Sequence, residues 1–166
     1  MIRQKAHIAD FHIHSHFSRA TSKQLTPEYL DYWARIKGIH VVGSGDITHP
    51  GWLAELKEKL EPAEEGLFRL KQACATVPEA ARFPAPDGEA RFMLTGEISN
   101  IYKKDDKVRK VHNLVCVPDF ATAEAIQCKL DEIGNITSDG RPILGLDSKE
   151  LFDLCLTICD RIMFIP

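Results

Sequence analysis

The sequence predicts an α/β fold built on a largely parallel sheet or barrel. Two observations predict it. Segments of strand character alternate with segments of helical periodicity, the order in which crossover helices join parallel strands. And 44% of the 166 residues are hydrophobic, enough for one domain, 1–166, with its own core. No internal repeat or low-complexity tract breaks the alternation.

The elements follow in order. Residues 7–14 read as a strand and 15–25 as a polar loop. Thr26, Pro27 and Glu28 open a helix with a capping hydroxyl, a proline at its first position and an acid in its first turn. Leu30, Trp33, Ala34 and Lys37 continue it at helical spacing, and Gly38 stops it. Residues 39–43 form a short apolar strand leading into Ser44, Gly45 and Asp46, with His40 in a structural position near its start. A second helix starts near Pro50, carries Trp52, Leu53, Leu56 and Leu60 on one side, and breaks at Pro62. An amphipathic segment over 63–75 presents Leu67, Leu70 and Cys74. Residues 76–89, with three prolines and Gly88, form a loop. Residues 91–98 and 108–117 read as the arms of a hairpin turning at 103–107. A helix over 120–133 points Ala123, Ile126, Leu130 and Ile133 inward and ends at Gly134. Residues 135–146 are an irregular connection. Asp147 or Ser148 then caps a helix carrying Leu151, Leu154, Cys155 and Ile158, and 161–165 reads as a final buried strand.

Composition narrows the functional classes. A net charge of −3 excludes a global basic field, so contact with nucleic acid needs a local patch or a segment outside these residues. The five cysteines form no CxxC pair and are odd in number; they read as reduced thiols of a cytoplasmic protein. Cys155 and Cys159 are four apart on one helix, as a core pair or a metal clip. No apolar run is long enough for a bilayer, so no membrane partner is expected.

The chemistry concentrates in 10–16, Asp-Phe-His-Ile-His-Ser-His. In an extended strand Asp10, His12, His14 and His16 share one face, opposite Ala9, Phe11 and Ile13. Imidazole and carboxylate are the usual ligands of zinc and its neighbours. The plainer alternative is a half-buried strand that merely carries histidines. Further candidates stand beyond the second strand (Asp46 and His49), near the end of the third (Glu97) and in the hairpin's return arm (His112). Carboxyl ends of strands are where α/β folds place their sites. Each residue alone is as readily structural; together they suit a two- or three-metal site that activates water and neutralises a phosphate. Arg19 could meet a phosphate bidentately or be a solvated loop residue. Lys103, Lys104, Lys107, Arg109 and Lys110 form a basic run that could grip a DNA backbone, or a solvated turn offset by Asp105 and Asp106.

Four segments in order, 10–22 (DFHIHSHFSRATS), 43–50 (GSGDITHP), 95–99 (TGEIS) and 110–115 (KVHNLV), resemble the PHP (polymerase and histidinol phosphatase) domain, and within it the endonuclease Q relatives. The resemblance implies part of a distorted (β/α)7 TIM-like barrel with two or three divalent ions at its mouth: zinc first, with manganese, magnesium or iron as alternatives. It implies phosphodiester hydrolysis at deaminated or abasic sites in DNA. His12 and His14 would hold the first metal, Glu97 would bridge two, His112 would hold the second, and His49 or Asp46 would serve a third position. Glu97 and Arg19 are the candidates for a direct part in catalysis.

The chain departs from the family pattern in two places. Ile47 and Thr48 separate Asp46 from His49, and Arg19 stands where many members place another ligand. The family's later ligands and remaining strands are also missing. The resemblance therefore implies the amino-terminal part of a longer protein, a fragment with weakened metal binding and little or no hydrolysis, and open barrel edges that a dimer could close. A phosphatase of the histidinol-phosphate type, or a non-catalytic metal-binding or interaction module, are the competing functions.

Overall fold

The computed structural model describes residues 6–75, 81 and 83–166. Its elements are β1 (Ala9–Asp10), α1 (Pro27–Lys37), β2 (Val41–Gly43), α2 (Pro50–Lys59), β3 (Leu60–Pro62) and β4 (Phe68–Leu70), then β5 (Arg91–Lys104), β6 (Lys107–Val117), α3 (Phe120–Asp131), β7 (Ile143–Leu144), α4 (Ser148–Ile158) and β8 (Met163–Ile165). Among the described residues the result is a mixed α/β fold with an eight-stranded sheet and four helices.

The 14-residue β5 organises the sheet. Its first residues pair in parallel with β2, which pairs in parallel with β1. From Leu94 onward it pairs antiparallel with β6 in an unbroken register to Lys104 opposite Lys107. β7 adds in parallel, and β4 and β8 extend the sheet antiparallel. The sheet is therefore mixed rather than largely parallel. The hairpin is the reason. Asp105 and Asp106 both adopt left-handed backbone (φ 52° and 57°), and two such residues close a tight turn matching the strands' twist. The turn expected over 103–107 shrinks to those two, and both arms lengthen.

The amphipathic segment read over 63–75 carries a short strand, Phe68–Leu70, instead of one continuous amphipathic element. Leu60 pairs with Leu70 and Pro62 with Phe68 in a β3–β4 hairpin, so the apolar residues there work at strand period. Residues 76–80 and 82 of the loop expected over 76–89 lie outside the described residues. In α1 the Thr26 side chain makes no capping bond, Tyr32 is buried and Trp33 is exposed; the left-handed Gly38 (φ 70°) closes the helix as expected. β8 forms, but at the sheet edge with Met163 and Ile165 exposed rather than buried. α4 opens with a full capping box between Asp147 and Glu150.

The core packs α2, α3 and α4 on the sheet around Trp52, Phe92, Leu94, Ile126, Leu130 and Leu151. Trp52 also donates its indole N–H to the carbonyls of Ser44 (3.2 Å) and Gly45 (2.8 Å). That pins the turn carrying Asp46 to the core, the first requirement for a rigid site. The five cysteines are free thiols; burial pushes Cys116 up to about 11 and Cys155 to about 12, so both are inert packing residues. No helix among the described residues is long and apolar enough to cross a membrane.

Candidate metal centre

Regular strand structure ends at Asp10, so residues 11–16 do not alternate as an extended strand would. His12 and His14 still turn towards one point. His16 does not: its Nε2 lies 2.8 Å from Glu55 on α2, among Phe17 and Trp52. Asp10 is exposed and lines a cleft of about 370 Å³ with His12, Glu97 and His112. A larger cleft, about 740 Å³, lies at the starts of β2 and β5, around His40, Val41 and Arg91, away from these residues.

Glu97 is the centre of the cluster. It stands in the middle of β5, not near its end as the sequence suggests, just past the point where β5 leaves β2 for β6. Its carboxylate is 2% exposed. Oε2 lies 3.1 Å from His12 Nε2 and 3.2 Å from His14 Nε2. Oε1 lies 2.5 Å from His112 Nδ1. His112 sits opposite Ser99, one step along the same face, and reaches Glu97 diagonally across the hairpin.

Among the described residues neither Glu97 oxygen accepts a hydrogen bond, although both are buried. His14 explains part of this. Its Nδ1–H donates to Asp46 Oδ1 at 3.1 Å, since a carboxylate can only accept. In the neutral imidazole, Nε2 is then a bare lone pair facing a bare carboxylate oxygen. Two lone pairs converging without a proton between them is an arrangement a cation satisfies. The ligand atoms of His12, His14 and Glu97 lie within 4.8 Å of one another. These three residues fit a divalent ion, and His112 stands against the other oxygen of Glu97.

Asp46 stands behind the cluster. It is fully buried, and its Oδ2 accepts from the Ser15 N–H (2.7 Å), Ser15 Oγ (2.7 Å) and Ser18 Oγ (2.8 Å). Gly45 and Asp46 both take left-handed backbone (φ 67° and 50°), and a Cβ on Gly45 would meet Ile13 O at 2.6 Å. The turn thus presses against the histidine segment. Burial raises the Asp46 pKa, but the bonds from His14 and Ser15 outweigh it and hold the carboxyl below its ordinary range. The bond to Asp46 in turn raises His14, more than burial lowers it. The signs give opposite pH limits. The Asp46 contribution is present above 3.8 and lost as pH falls through its lowered pKa. The His14 contribution is present below 6.5 and lost as pH rises through its raised pKa.

A proton on Nε2 competes with any metal, so metal affinity is expected to fall as pH drops through the raised His14 pKa, above 6.5. Asp46→Asn should move that midpoint down and weaken binding at pH 8 by about 10–100-fold, the usual effect of losing a group that orients a ligand. Calorimetric metal titrations at stepped pH check both; an unmoved midpoint would count against the Asp46–His14 bond as the cause.

The structure does not bring His49 into the cluster. Its Nδ1 accepts from the Trp52 N–H at the start of α2, its Nε2 lies 3.0 Å from Thr137 O, and its ring lies on Phe17. Arg19 is exposed beside Asp139. The basic run divides by strand alternation. Lys103 and Lys110 share the Glu97–His112 face, while Lys104, Lys107 and Arg109 lie on the reverse, Lys104 paired with Asp147 at 2.7 Å. Sequence reasoning misses Arg141, whose Nη1 lies 3.7 Å from Glu97 Oε2. Its surroundings, Ser-Asp-Gly-Arg-Pro, read only as a turn.

No family model matches the chain. Two solved structures resemble it closely. The lesion-specific endonuclease PfuEndoQ from Pyrococcus furiosus is 29% identical across 94% of this chain and 33% of its own, with a TM-score of 0.71. Endonuclease Q bound to a 27-mer duplex with an abasic lesion at the active site gives the same coverage and a TM-score of 0.69. The chain shares the fold of endonuclease Q. An uncharacterized protein of Methanocaldococcus jannaschii is 28% identical over 146 residues, 87% of this chain and 14% of that protein. The chain thus spans about a third of the solved endonuclease Q chains and a seventh of the curated relative.

Proposed function

We propose that this chain builds the metal centre of a phosphodiesterase that cuts DNA at deaminated or abasic sites. The observation that carries the reading is Glu97: a buried carboxylate, hydrogen-bonded at neither oxygen, on which three imidazoles converge. Its likeness to lesion-specific endonucleases, one crystallised on an abasic duplex, supports the substrate class.

In this reading His12, His14 and Glu97 would hold one ion, and His112 with Glu97 would hold a second. Asp46 serves as the orienting partner of His14. The mixed nitrogen and oxygen donors suit zinc, manganese or iron better than magnesium. Divalent ions supply two effects, a lowered water pKa and relief of charge on a phosphoryl group. Lys103 and Lys110, on the Glu97 face of the hairpin, would be the ones to meet backbone phosphates, with Lys104, Lys107 and Arg109 on the reverse face. The eight-stranded sheet would form part of the distorted barrel that the sequence resemblance implies.

The test couples metal analysis to cleavage. The chain is loaded with zinc or manganese and incubated with end-labelled duplexes carrying one abasic site, one deoxyuridine or one deoxyinosine. Nicking of the lesion strand that disappears in His12→Ala, His14→Ala and Glu97→Ala supports the proposal. Turnover of phosphomonoesters alone, or cleavage unaffected in all three variants, overturns it.

A further inference from the structure

We infer that Arg141 is a phosphate-binding residue held in reserve by Glu97 and released when cations enter the site; this rests on the metal-centre reading above. Among the described residues, Glu97 is the one ion-pair partner of the Arg141 guanidinium. The same oxygen, Oε2, faces His12 and His14. Ions held by those three side chains take over the charge of Glu97, and Arg141 is then left beside divalent cations with no counter-charge. Like charges at this range repel, so the loaded site is completed only by an anion. A phosphate oxygen answers both the guanidinium and the ions.

The backbone keeps Arg141 from swinging away. Its N–H donates to Asp139 Oδ1 (3.2 Å), the Gly140 N–H donates to Phe17 O (3.2 Å), and Pro142 O accepts from the Ser99 N–H (2.9 Å). The side chain is 40% exposed and opens on a cleft of about 100 Å³ lined by His14, Ser18, Arg19, Asp139 and Arg141. That is roughly three times the share of one water in liquid, about 30 Å³, and suits a single phosphoryl group. Asp139 lies in the cleft, but its oxygens are turned to Arg19 and to the Arg141 N–H. The guanidinium fork matches two phosphate oxygens, which a lysine cannot do.

The test uses manganese and inorganic phosphate, added in that order by calorimetry, with the parent chain, Arg141→Gln and Arg141→Lys. Phosphate is expected to bind the manganese-loaded parent and to bind the metal-free parent far more weakly. Arg141→Gln should keep or improve manganese affinity and lose about 10–100-fold in phosphate affinity, the range for a hydrogen bond to a charged group. Arg141→Lys should recover part of it. Unchanged phosphate binding in Arg141→Gln overturns the inference. So does a loss of manganese affinity, which would make Arg141 a strut for Glu97, and so does equal phosphate binding with and without metal. A parent that binds no manganese overturns the metal reading too, and that result precedes any phosphate. A manganese-binding chain indifferent to Arg141 sinks this inference alone.

Discussion

Glu97→Gln is expected to abolish specific divalent binding while leaving the metal-free chain at least as stable as the parent. Oε2 faces the bare Nε2 of His14 and also His12. Glutamine keeps the shape and offers an amide N–H₂ that can donate to the nitrogen a cation would otherwise bridge. It also removes a buried charge, 2% exposed, that accepts no hydrogen bond. Stability gained by neutralising such a site is the usual counterpart of lost function. The metal loss should exceed the roughly 10–100-fold seen when only an orienting group is removed. Melting curves read both effects. Metal at 100 times its Kd adds about 2.7 kcal/mol to the parent, or roughly 5–11 °C for a chain of this size. Glu97→Gln should show no such rise and melt at or above the parent in chelator. A parent whose melting ignores zinc and manganese, or a variant that responds equally, would refute the assignment of Glu97.

The sequence made the helices and the long hairpin legible because local chemistry decides them. Pro27 and Gly38 bound α1, Asp147 and Glu150 cap α4, and two aspartates between apolar arms mark the β5–β6 turn. It misplaced 63–75 because Leu67, Leu70 and Cys74 satisfy a helical spacing as well as a short strand does. The pairing of Leu60 with Leu70 across a turn decided between them. The histidine segment shows the same limit. Alternation put His16 with His12 and His14, but the strand stops at Asp10, and His16 finds Glu55 instead. Arg141 and Gly140 were invisible for a different reason. Their importance lies in contacts with Glu97, Asp46 and Phe17, more than forty residues away, and a turn sequence carries no trace of them.

Gly140→Ala is the sharpest test of that hidden contact. A Cβ built on Gly140 would lie 2.1 Å from Asp46 Oδ2, 2.4 Å from its Cγ and 2.5 Å from Ser18 Oγ. None of these can yield cheaply. Asp46 is fully buried and accepts from His14, Ser15 and Ser18, so tilting it unties the imidazole that aims at Glu97. If the loop recoils instead, it strains the Gly140–Phe17 and Ser99–Pro142 bonds and withdraws Arg141 from Glu97. Overpacking of this kind costs about 1–3 kcal/mol, which for this length lowers the melting temperature by roughly 2–12 °C. Metal affinity should fall with it, because either relaxation disturbs the same cluster. Gly145→Ala is the control: among the described residues nothing lies within 4 Å of its Cβ position, and its backbone is not left-handed. It should melt with the parent. If Gly140→Ala matches that control in both melting and metal binding, the 139–142 loop does not brace the centre. Arg141 then sits on a yielding loop, and its guanidinium has no fixed relation to Glu97.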